Sequence, residues 1–329
     1  MGTFDGLSNL EYLLLENNNL ESLPEGIFNG LSRLGQLNLY NNELSSLPAA
    51  IFNGLSNLQY IYLYNTRISR LPEGIFNGLG RLAILRLHDN ELESLPAGLF
   101  NGLGTLQYLY LNNNQLKSLP AGIFSGVSCV QYLGLKGNEL WSLPTGIFNG
   151  LSSLQELDLG NNNLESLPTG IFQELSSLRN VHLGYNKLNS SAASLPTGVF
   201  NGLSSLWSID LGQNMLERLP TGIFDGLSSL GRLYLDGNTL KSLPAGIFNG
   251  LSRLWYLDLQ NNELQSLPAG IFDDILNIWF LYLNNNSLST LPAGAFDSVP
   301  YLGNLFLDNN NLENLPSGIF DGPFRLGTL

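Results

Sequence analysis

Aromatic residues that recur at fixed spacing are the part of this sequence most suited to chemistry. Tyrosine offers a large contact area with a polar tip and loses little rotamer entropy when it binds. The predicted chemistry is therefore recognition by contact, although aromatic residues are also favoured in strands for structural reasons. The first set comprises Tyr40, Tyr60, Tyr62, Tyr64, Tyr108, Tyr110 and Tyr132, and the second comprises Tyr234, Trp255, Tyr256, Trp279, Phe280, Tyr282 and Phe306.

A polar segment with small residues lies between the two aromatic sets. It contains Glu156, Asp158, His182, Asp210 and Asp258. Asp158, His182 and Asp210 hold equivalent repeat positions, so we expect them to be lateral neighbours, with glycines leaving space beside them. One interpretation is a pocket for a cation, an amine or a ligand Arg or Lys side chain. The other is a solvated acidic face.

Enzyme chemistry finds little support. The sequence has only two histidines, His88 and His182, and contains no H-E-x-x-H, phosphate-binding loop or G-x-S-x-G elbow. Its 36 glycines repeat with the period, which indicates turns rather than nucleotide binding. Cys129 precedes a strand at a normally polar position and is interpreted as an idle exposed thiol. We predict no catalytic residue, no metal ligand and no cofactor.

All these residues belong to a repeat of 24 residues, shown by the stretch from Leu95 to Leu116. Leu106, Leu109 and Leu111 follow L-x-x-L-x-L, and the intervening residues alternate with them. This spacing predicts one short strand per repeat with leucines inward and the alternate residues outward. A single repeat cannot offset its own ordering entropy, so thirteen full motifs must stack into a parallel sheet. Proline and glycine predict a return limb of turns, extended chain and short helical pieces.

Three features mark the repeats individually. An asparagine follows each strand motif from Asn18 to Asn310 except at Thr66, whose hydroxyl can satisfy fewer buried backbone groups. The third repeat is therefore predicted to be locally weaker or to depend on water. A column of fourteen phenylalanines is predicted to be core. The extra residues within Asn189 to Ser194 predict a surface loop, which is either a specificity loop or a tolerated insertion.

Composition limits the partners. Residues 1–329 are predicted to form one elongated repeat array, and 14 Lys plus Arg against 27 Asp plus Glu give a net charge of −13. Such a surface repels nucleic acid and anionic membranes, so a basic or neutral partner is expected. No apolar run is long enough for membrane insertion, and Met1 leads directly into the in-phase Phe4, so no signal peptide is expected. Both ends lack an evident polar cap, which predicts fraying or end-to-end self-association.

The pattern L-x-x-L-x-L-x-x-N-x-L, followed by L-P-x-G-I-F-x-G-L, resembles the typical 24-residue leucine-rich repeat of extracellular proteins. The segment from Leu109 to Phe124 is similar to repeats of lamprey variable lymphocyte receptors, Toll-like receptors and Slit proteins. The resemblance implies an α/β fold, a right-handed horseshoe solenoid with a parallel sheet on its concave face, ligand recognition on that sheet, and an extracellular or cell-surface location. Those families carry cysteine-rich caps, which this sequence lacks.

The expected function is recognition of a protein or peptide ligand, with a glycan as a second ligand class. Two other classes stay open: a structural or adhesive spacer that self-associates, and an engineered repeat scaffold without a ligand. Wording such as LPAGIFNGLS is nearly invariant among the repeats, whereas the outward strand positions vary. A constant framework beside a diversified face favours ligand recognition.

Overall fold

The computed structural model describes residues 3–191 and 194–329, which form two compact units, Met1–Asn163 and Leu164–Leu329. Each strand is only three residues long. The first unit contains β1 (Tyr12–Leu14), β2 (Gln36–Asn38), β3 (Tyr60–Tyr62), β4 (Ile84–Arg86), β5 (Tyr108–Tyr110), β6 (Tyr132–Gly134) and β7 (Glu156–Asp158). The second contains β8 (Asn180–His182), β9 (Ser208–Asp210), β10 (Arg232–Tyr234), β11 (Tyr256–Asp258), β12 (Phe280–Tyr282) and β13 (Asn304–Phe306).

Within each unit the strands pair in chain order, all parallel. In the first unit Tyr60 is in register with Ile84, which follows it by one repeat. The longer step between β8 and β9 keeps the same register, since Asn180 pairs with Ser208. The thirteen strands confirm the thirteen predicted motifs. Thr328 forms an isolated bridge with Asn304, so the truncated last motif continues the pattern.

The core is built from the predicted columns. Leu106, Leu109 and Leu111 are fully buried, as are their counterparts in the inner repeats. Consecutive phenylalanine rings of the return limb stack with centroids 5.9 Å apart for Phe52 and Phe76 and 6.5 Å apart for Phe200 and Phe224. These rings therefore form a core column and not a binding site, as predicted.

The asparagines join neighbouring repeats. Asn114 Nδ2 donates to the Leu87 and Leu111 carbonyls at 3.0 and 3.1 Å, and its Oδ1 accepts from Leu92 N–H at 3.0 Å. Thr66 Oγ1 instead contacts Leu63 O at 3.2 Å and the side-chain oxygen of Asn90. In other repeats the asparagine Oδ1 accepts from the backbone amide that corresponds to Leu44 N–H, as Asn42 does from Leu20 N–H. Leu44 N–H itself has no acceptor within residues 3–191 and 194–329. The hydroxyl thus satisfies fewer backbone groups, as expected.

The return limb consists of single turns. Ile123 N–H bonds to Pro120 O, Ser125 N–H to Gly122 O, and Val127 N–H to Phe124 O, at 3.2, 3.0 and 3.2 Å. No helix occurs in the described part of the chain, so the short helical pieces expected here do not extend beyond a turn. Gly122 has φ of +68°, which lies outside helical geometry, so a helix cannot continue through it. Nothing in the described residues is a helix capable of crossing a membrane.

The insertion is anchored at its described ends. Ala192 and Ala193, inside the predicted loop, lie outside the described residues. Ser194 is buried, and its hydroxyl accepts from Asn189 N–H at 2.8 Å and donates to Glu165 O at 2.6 Å. Near the two ends of the chain, Leu14 and Phe324 are exposed, the latter by 68%. End-to-end self-association and the single-domain assignment stay predictions.

Candidate ligand-binding face

Each strand presents three side chains on the face opposite the leucine core. These are its first residue, its third residue and the residue two positions beyond. In β4 they are Ile84, Arg86 and His88, all half-buried, whereas the alternating Leu85 and Leu87 are fully buried. We call this surface of each unit the strand face. The sequence placed its outward positions correctly because strand side chains alternate with a period of two.

The first aromatic set lies on the strand face of β2 to β6, and we call it the tyrosine patch; it comprises Tyr40, Tyr60, Tyr62, Tyr64, Tyr108, Tyr110 and Tyr132. Tyr40 and Tyr64 stack with ring centroids 4.4 Å apart, and Tyr60 lies 6.4 Å from Tyr62. Tyr110 meets Tyr132 at 4.7 Å. Tyr108 is in register with Tyr132 on the next strand. Six of these side chains are thus linked by ring contacts, either directly or through Arg86 and His88, whereas Tyr108 is placed beside them by its register alone.

Arg86 is a component of this surface that our sequence interpretation missed. Its guanidinium carbon lies 5.1 Å from the ring centroids of both Tyr62 and Tyr110. Arg86 Nε is buried without a hydrogen-bond partner. Across residues 3–191 and 194–329, no carboxylate pairs with this arginine. A signal was present, since Tyr62 and Tyr110 occupy the same position one repeat before and one repeat after Arg86.

His88 also belongs to the patch, a role that was not predicted from the sequence. Its ring stacks on Tyr64 at 4.5 Å and meets Tyr110 at 5.7 Å. Burial holds the pKa of His88 below its ordinary value, with Arg86 acting in the same direction and Asp89 against it. Burial therefore favours the neutral form of the imidazole. Burial raises the tyrosyl pKa of Tyr62, Tyr64 and Tyr132 as well.

The polar segment is less open than predicted. His182 pairs with Asp210 across β8 and β9, as expected. Asp158 belongs to the other unit, and its adjacency to His182 stays a prediction. A Cβ added at Gly184 would lie 2.7 Å from Asp210 Oδ1. The space left by that glycine is therefore filled by a carboxylate of the chain itself.

The backbone also holds these carboxylates. Asp158 Oδ1 accepts from Gly160 N–H at 3.1 Å, and Asp210 Oδ1 accepts from Gly212 N–H at 2.9 Å. Glu156 is half-buried, in register with Tyr132. Side-chain acceptors that bond the backbone two residues later are typical of turns. This geometry favours the solvated-face interpretation over a preformed pocket.

The second aromatic set also clusters. Tyr256 meets Tyr234 at 4.9 Å and Tyr282 at 5.3 Å, and Tyr282 stacks on Phe306 at 4.6 Å. Trp255 contacts Phe280 edge to face at 6.3 Å. Trp279 is exposed and lies over Gly303, where an added Cβ would come within 2.7 Å of the indole.

Arg232 and Trp207 were missed in this region. The Arg232 guanidinium lies 4.6 Å from the Trp207 ring and 4.7 Å from the Trp255 ring. Gly231 makes room for the sandwich, because a Cβ there would be 2.7 Å from Trp207 Nε1 and 3.1 Å from Trp255 Nε1. The two tryptophans flank the arginine diagonally and not in lateral register.

Asp258 differs from its predicted role as a ligand-binding residue. It is only 3% exposed, and it accepts hydrogen bonds from Tyr256 Oη at 3.3 Å and from the Gln260 backbone and side-chain nitrogens, both at 3.1 Å. Burial raises the pKa of this carboxyl to about 6, and the Gln260 backbone bond acts against that shift. The carboxyl is therefore engaged by Tyr256 and Gln260 and is almost inaccessible to a ligand.

Known proteins share the repeat described above. A family model described as leucine rich repeat matches residues 1–44, 33–92, 80–140, 130–188, 189–240 and 230–288. No curated protein sequence matches the chain.

Three solved structures illustrate the similarity. The TLR13–ssRNA13 complex has a TM-score of 0.84 and 29% identity over 96% of this chain and 46% of that chain. A chain of the octameric complex of latrophilin 3, Unc5D and FLRT2 gives 0.70 and 27% over 85% and 82%. YopM from Yersinia enterocolitica WA-314 gives 0.70 and 27% over 98% and 64%. The present chain thus spans less than half the length of the TLR13 chain.

Proposed function

This chain belongs to the leucine-rich-repeat family, and from that premise we propose that it is a non-catalytic binding module whose strand face recognises a protein or peptide ligand. Structures similar to it include complexes with RNA and with other proteins. The fold therefore suits ligand binding in general. The ligand class must be argued from the side chains of this chain.

The tyrosine patch is the observation that supports the proposal most. Its rings already stack on one another in the free chain, with Tyr40, Tyr64 and His88 spaced at 4.4 and 4.5 Å. Side chains that are ordered before binding lose little entropy when a ligand arrives. Five neighbouring strands present an ordered surface about 20 Å across, since parallel strands lie about 4.8 Å apart. An extended peptide or a loop of a protein fits such a surface.

Net charge favours a protein over a nucleic acid. The chain carries −13 overall, and polyanion binding needs several cationic contacts to phosphate. We place the molecule outside the cell or at the cell surface, by resemblance to extracellular repeats of this type.

The test selects peptides from a random-sequence display library on the intact chain and then measures their affinity for two variants. Tyr64→Ala removes the ring that bridges Tyr40 and His88. Trp141→Ala is the matched control, because Trp141 is 59% exposed and lies away from the strand face. We expect Tyr64→Ala to weaken binding about tenfold or more and Trp141→Ala to leave it unchanged. The reverse ranking, or equal affinity for both variants and the parent chain, would overturn the proposal.

A further inference from the structure

We infer that the tyrosine patch is a carboxylate-recognition surface centred on Arg86, and that its ligand is an acidic segment of a partner protein. The inference rests on the proposed function and gives the ligand its chemistry. It depends on three features of the first unit: how Arg86 is held, which charges surround it, and what lies at the borders of the patch.

Arg86 is ordered before any ligand arrives. The rings of Tyr62 and Tyr110 lie on either side of its guanidinium carbon at 5.1 Å. A guanidinium stacked between aromatic faces keeps its edge donors available for a bidentate contact with a carboxylate. The Arg86 side chain makes no hydrogen bond or ion pair with any described residue, and its Nε is buried without an acceptor. A positioned cation that lacks an anion on its own chain is the group expected at a carboxylate site.

The charged residues at the strand-face positions around Arg86 are positive, whereas the net charge of the whole chain is negative. Three strand-face positions on each of the strands β2 to β6 include Arg86 and Lys136 but no Asp or Glu. The nearest carboxylate in sequence, Asp89, lies in the turn after β4, where it has φ of +54°, and its Oδ2 is 3.8 Å from His88 Nε2. The net charge of −13 predicts a basic partner, whereas the local charge of this surface predicts an acidic one. Local charge dominates because separated surface charges are screened within about 10 Å in ordinary salt.

Carboxylates mark both borders of the patch. Glu16 follows β1 and raises the tyrosyl pKa of Tyr64, though less than burial does. On the other side, Asp158 and Glu156 of β7 raise the tyrosyl pKa of Tyr132, again less than burial. An acidic segment is therefore repelled at β1 and β7 and attracted only between them. The arrangement confines the ligand to the strands that carry the tyrosines.

His88 adds a polar group beside the guanidinium. Its Nδ1 is buried without a hydrogen-bond partner, its Nε2 lies 3.8 Å from Asp89 Oδ2, and burial lowers the pKa of the imidazole. The neutral ring that burial favours carries one N–H donor without adding charge. Arg86, His88 and the hydroxyls of neighbouring tyrosines thus offer donors together on one surface.

RNA is the competing anionic ligand, because bases stack on aromatic rings and phosphates bind arginine. The patch offers only Arg86 and Lys136 as cations. Affinity for a nucleic acid grows with the number of phosphates neutralised, so two cations in a negatively charged chain are too few. The single ordered guanidinium suits one carboxylate flanked by apolar contacts better.

The experiment uses the peptides selected on the intact chain, together with a single-stranded oligouridine as the nucleic-acid probe. We expect the peptides to be enriched in Asp and Glu. Arg86→Gln should weaken their binding about tenfold or more. Arg86→Lys should recover only part of the loss, because a lysine keeps the charge without the planar fork. Arg67→Gln is the control of equal charge change, since Arg67 is exposed and pairs with Glu43 at 3.4 Å; it should change affinity less than about twofold.

A double-mutant cycle combines a substitution in the peptide with Arg86→Gln in the chain and tests whether the two groups interact. Replacing the peptide carboxylate by its amide should weaken binding to the parent chain, and it should have little further effect on Arg86→Gln. Peptides enriched in Lys and Arg, or oligouridine binding tighter than the acidic peptides, would overturn the inference. If Tyr64→Ala abolishes binding while Arg86→Gln leaves it intact, the carboxylate site is wrong and the binding face stands. If neither variant affects binding, both are wrong.

Discussion

The strand face of each unit holds an arginine between two aromatic rings, Arg86 in the first and Arg232 in the second, but the surroundings of these two arginines differ. Arg86 lies between tyrosines on strands whose face carries no carboxylate. Arg232 lies between Trp207 and Trp255, and the strand face of β9 to β11 includes three aspartates, Asp210, Asp236 and Asp258. Burial raises the pKa of the Tyr234 phenol, and the positive charge of Arg232 acts against that shift. Arg232 Nε, like Arg86 Nε, is buried without a hydrogen-bond partner.

The comparison shows that an aromatic sandwich alone does not define a binding site. Stacking orders both guanidiniums, and the neighbouring carboxylates decide whether the charge is available to a ligand. In the second unit three aspartates share the strand face with Arg232, so the local charge there is negative although no described carboxylate pairs with the arginine directly. On β2 to β6 the strand face carries no carboxylate, so an external carboxylate is the natural partner of Arg86.

Asp258 gives the largest effect, because it is a buried carboxyl with no counterpart on the face of β2 to β6. Its folded-state pKa of about 6 lies above the ordinary value of 3.8. The folded state therefore holds this proton more tightly than the unfolded chain does. The resulting stabilisation is fully present below about pH 4 and is lost as pH rises through about 6. The loss amounts to roughly 3 kcal/mol.

Asp258→Asn remains uncharged at every pH, so its free energy of unfolding relative to the parent chain should rise by that amount between about pH 4 and pH 7. Urea denaturation at the two pH values measures the difference. Asp308→Asn, at an exposed position, is the control and should follow the parent profile. A relative change below about 1 kcal/mol for Asp258→Asn would show that the second unit tolerates its buried carboxylate without cost.

Thr66 gives the next effect, in the first unit and directly behind the tyrosine patch. Thr66→Asn should restore the missing acceptor for Leu44 N–H and the donors that Asn114 supplies in its own repeat. We expect a gain of about 1–2 kcal/mol in the free energy of unfolding, measured by urea denaturation, with unchanged peptide affinity. Asn262→Thr in the second unit is the reciprocal control and should lose a similar amount. Lower stability of Thr66→Asn would mean that Thr66 is favoured by packing.

Much of the architecture could be predicted from the sequence, because the strands, the asparagine column and the phenylalanine column are periodic. The outward tyrosines followed from the same period. Arg86 was overlooked even though its partners lie one repeat away on each side. Arg232 could not be found that way, since Trp207 and Trp255 reach it diagonally through their rotamers. The burial of Asp258 likewise depends on ring volumes around it, and the net charge of the chain gave no information about the local sign of the patch.

The tryptophan sandwich can be tested through the glycine that permits it. Gly231→Ala would place a Cβ 2.7 Å from Trp207 Nε1, so one indole must move away from Arg232. We expect about 1 kcal/mol of destabilisation and a red shift of tryptophan emission. Gly104→Ala is the matched control, because an added Cβ there meets nothing within 4 Å. Unchanged emission from Gly231→Ala would show that the sandwich adapts freely and that Arg232 is less ordered than Arg86.

The smallest effect concerns the residue that immediately precedes the recurring asparagine after each strand and that has a left-handed backbone conformation. In the first unit this position is filled by Asn, Asp or Gly, as Asn161 with φ of +50° illustrates, whereas the second unit has Tyr185 with φ of +57°. Asparagine tolerates this conformation better than a bulky side chain does. Tyr185→Asn should therefore raise the free energy of unfolding by about 0.5–1 kcal/mol, and Asn161→Tyr should lower it by a similar amount. Tyr185 is 63% exposed, so little packing is lost with its ring. If thermal denaturation shows Tyr185→Asn to be less stable than the parent chain, Tyr185 contributes a contact that outweighs its backbone conformation, and the turns of the two units do not differ in strain.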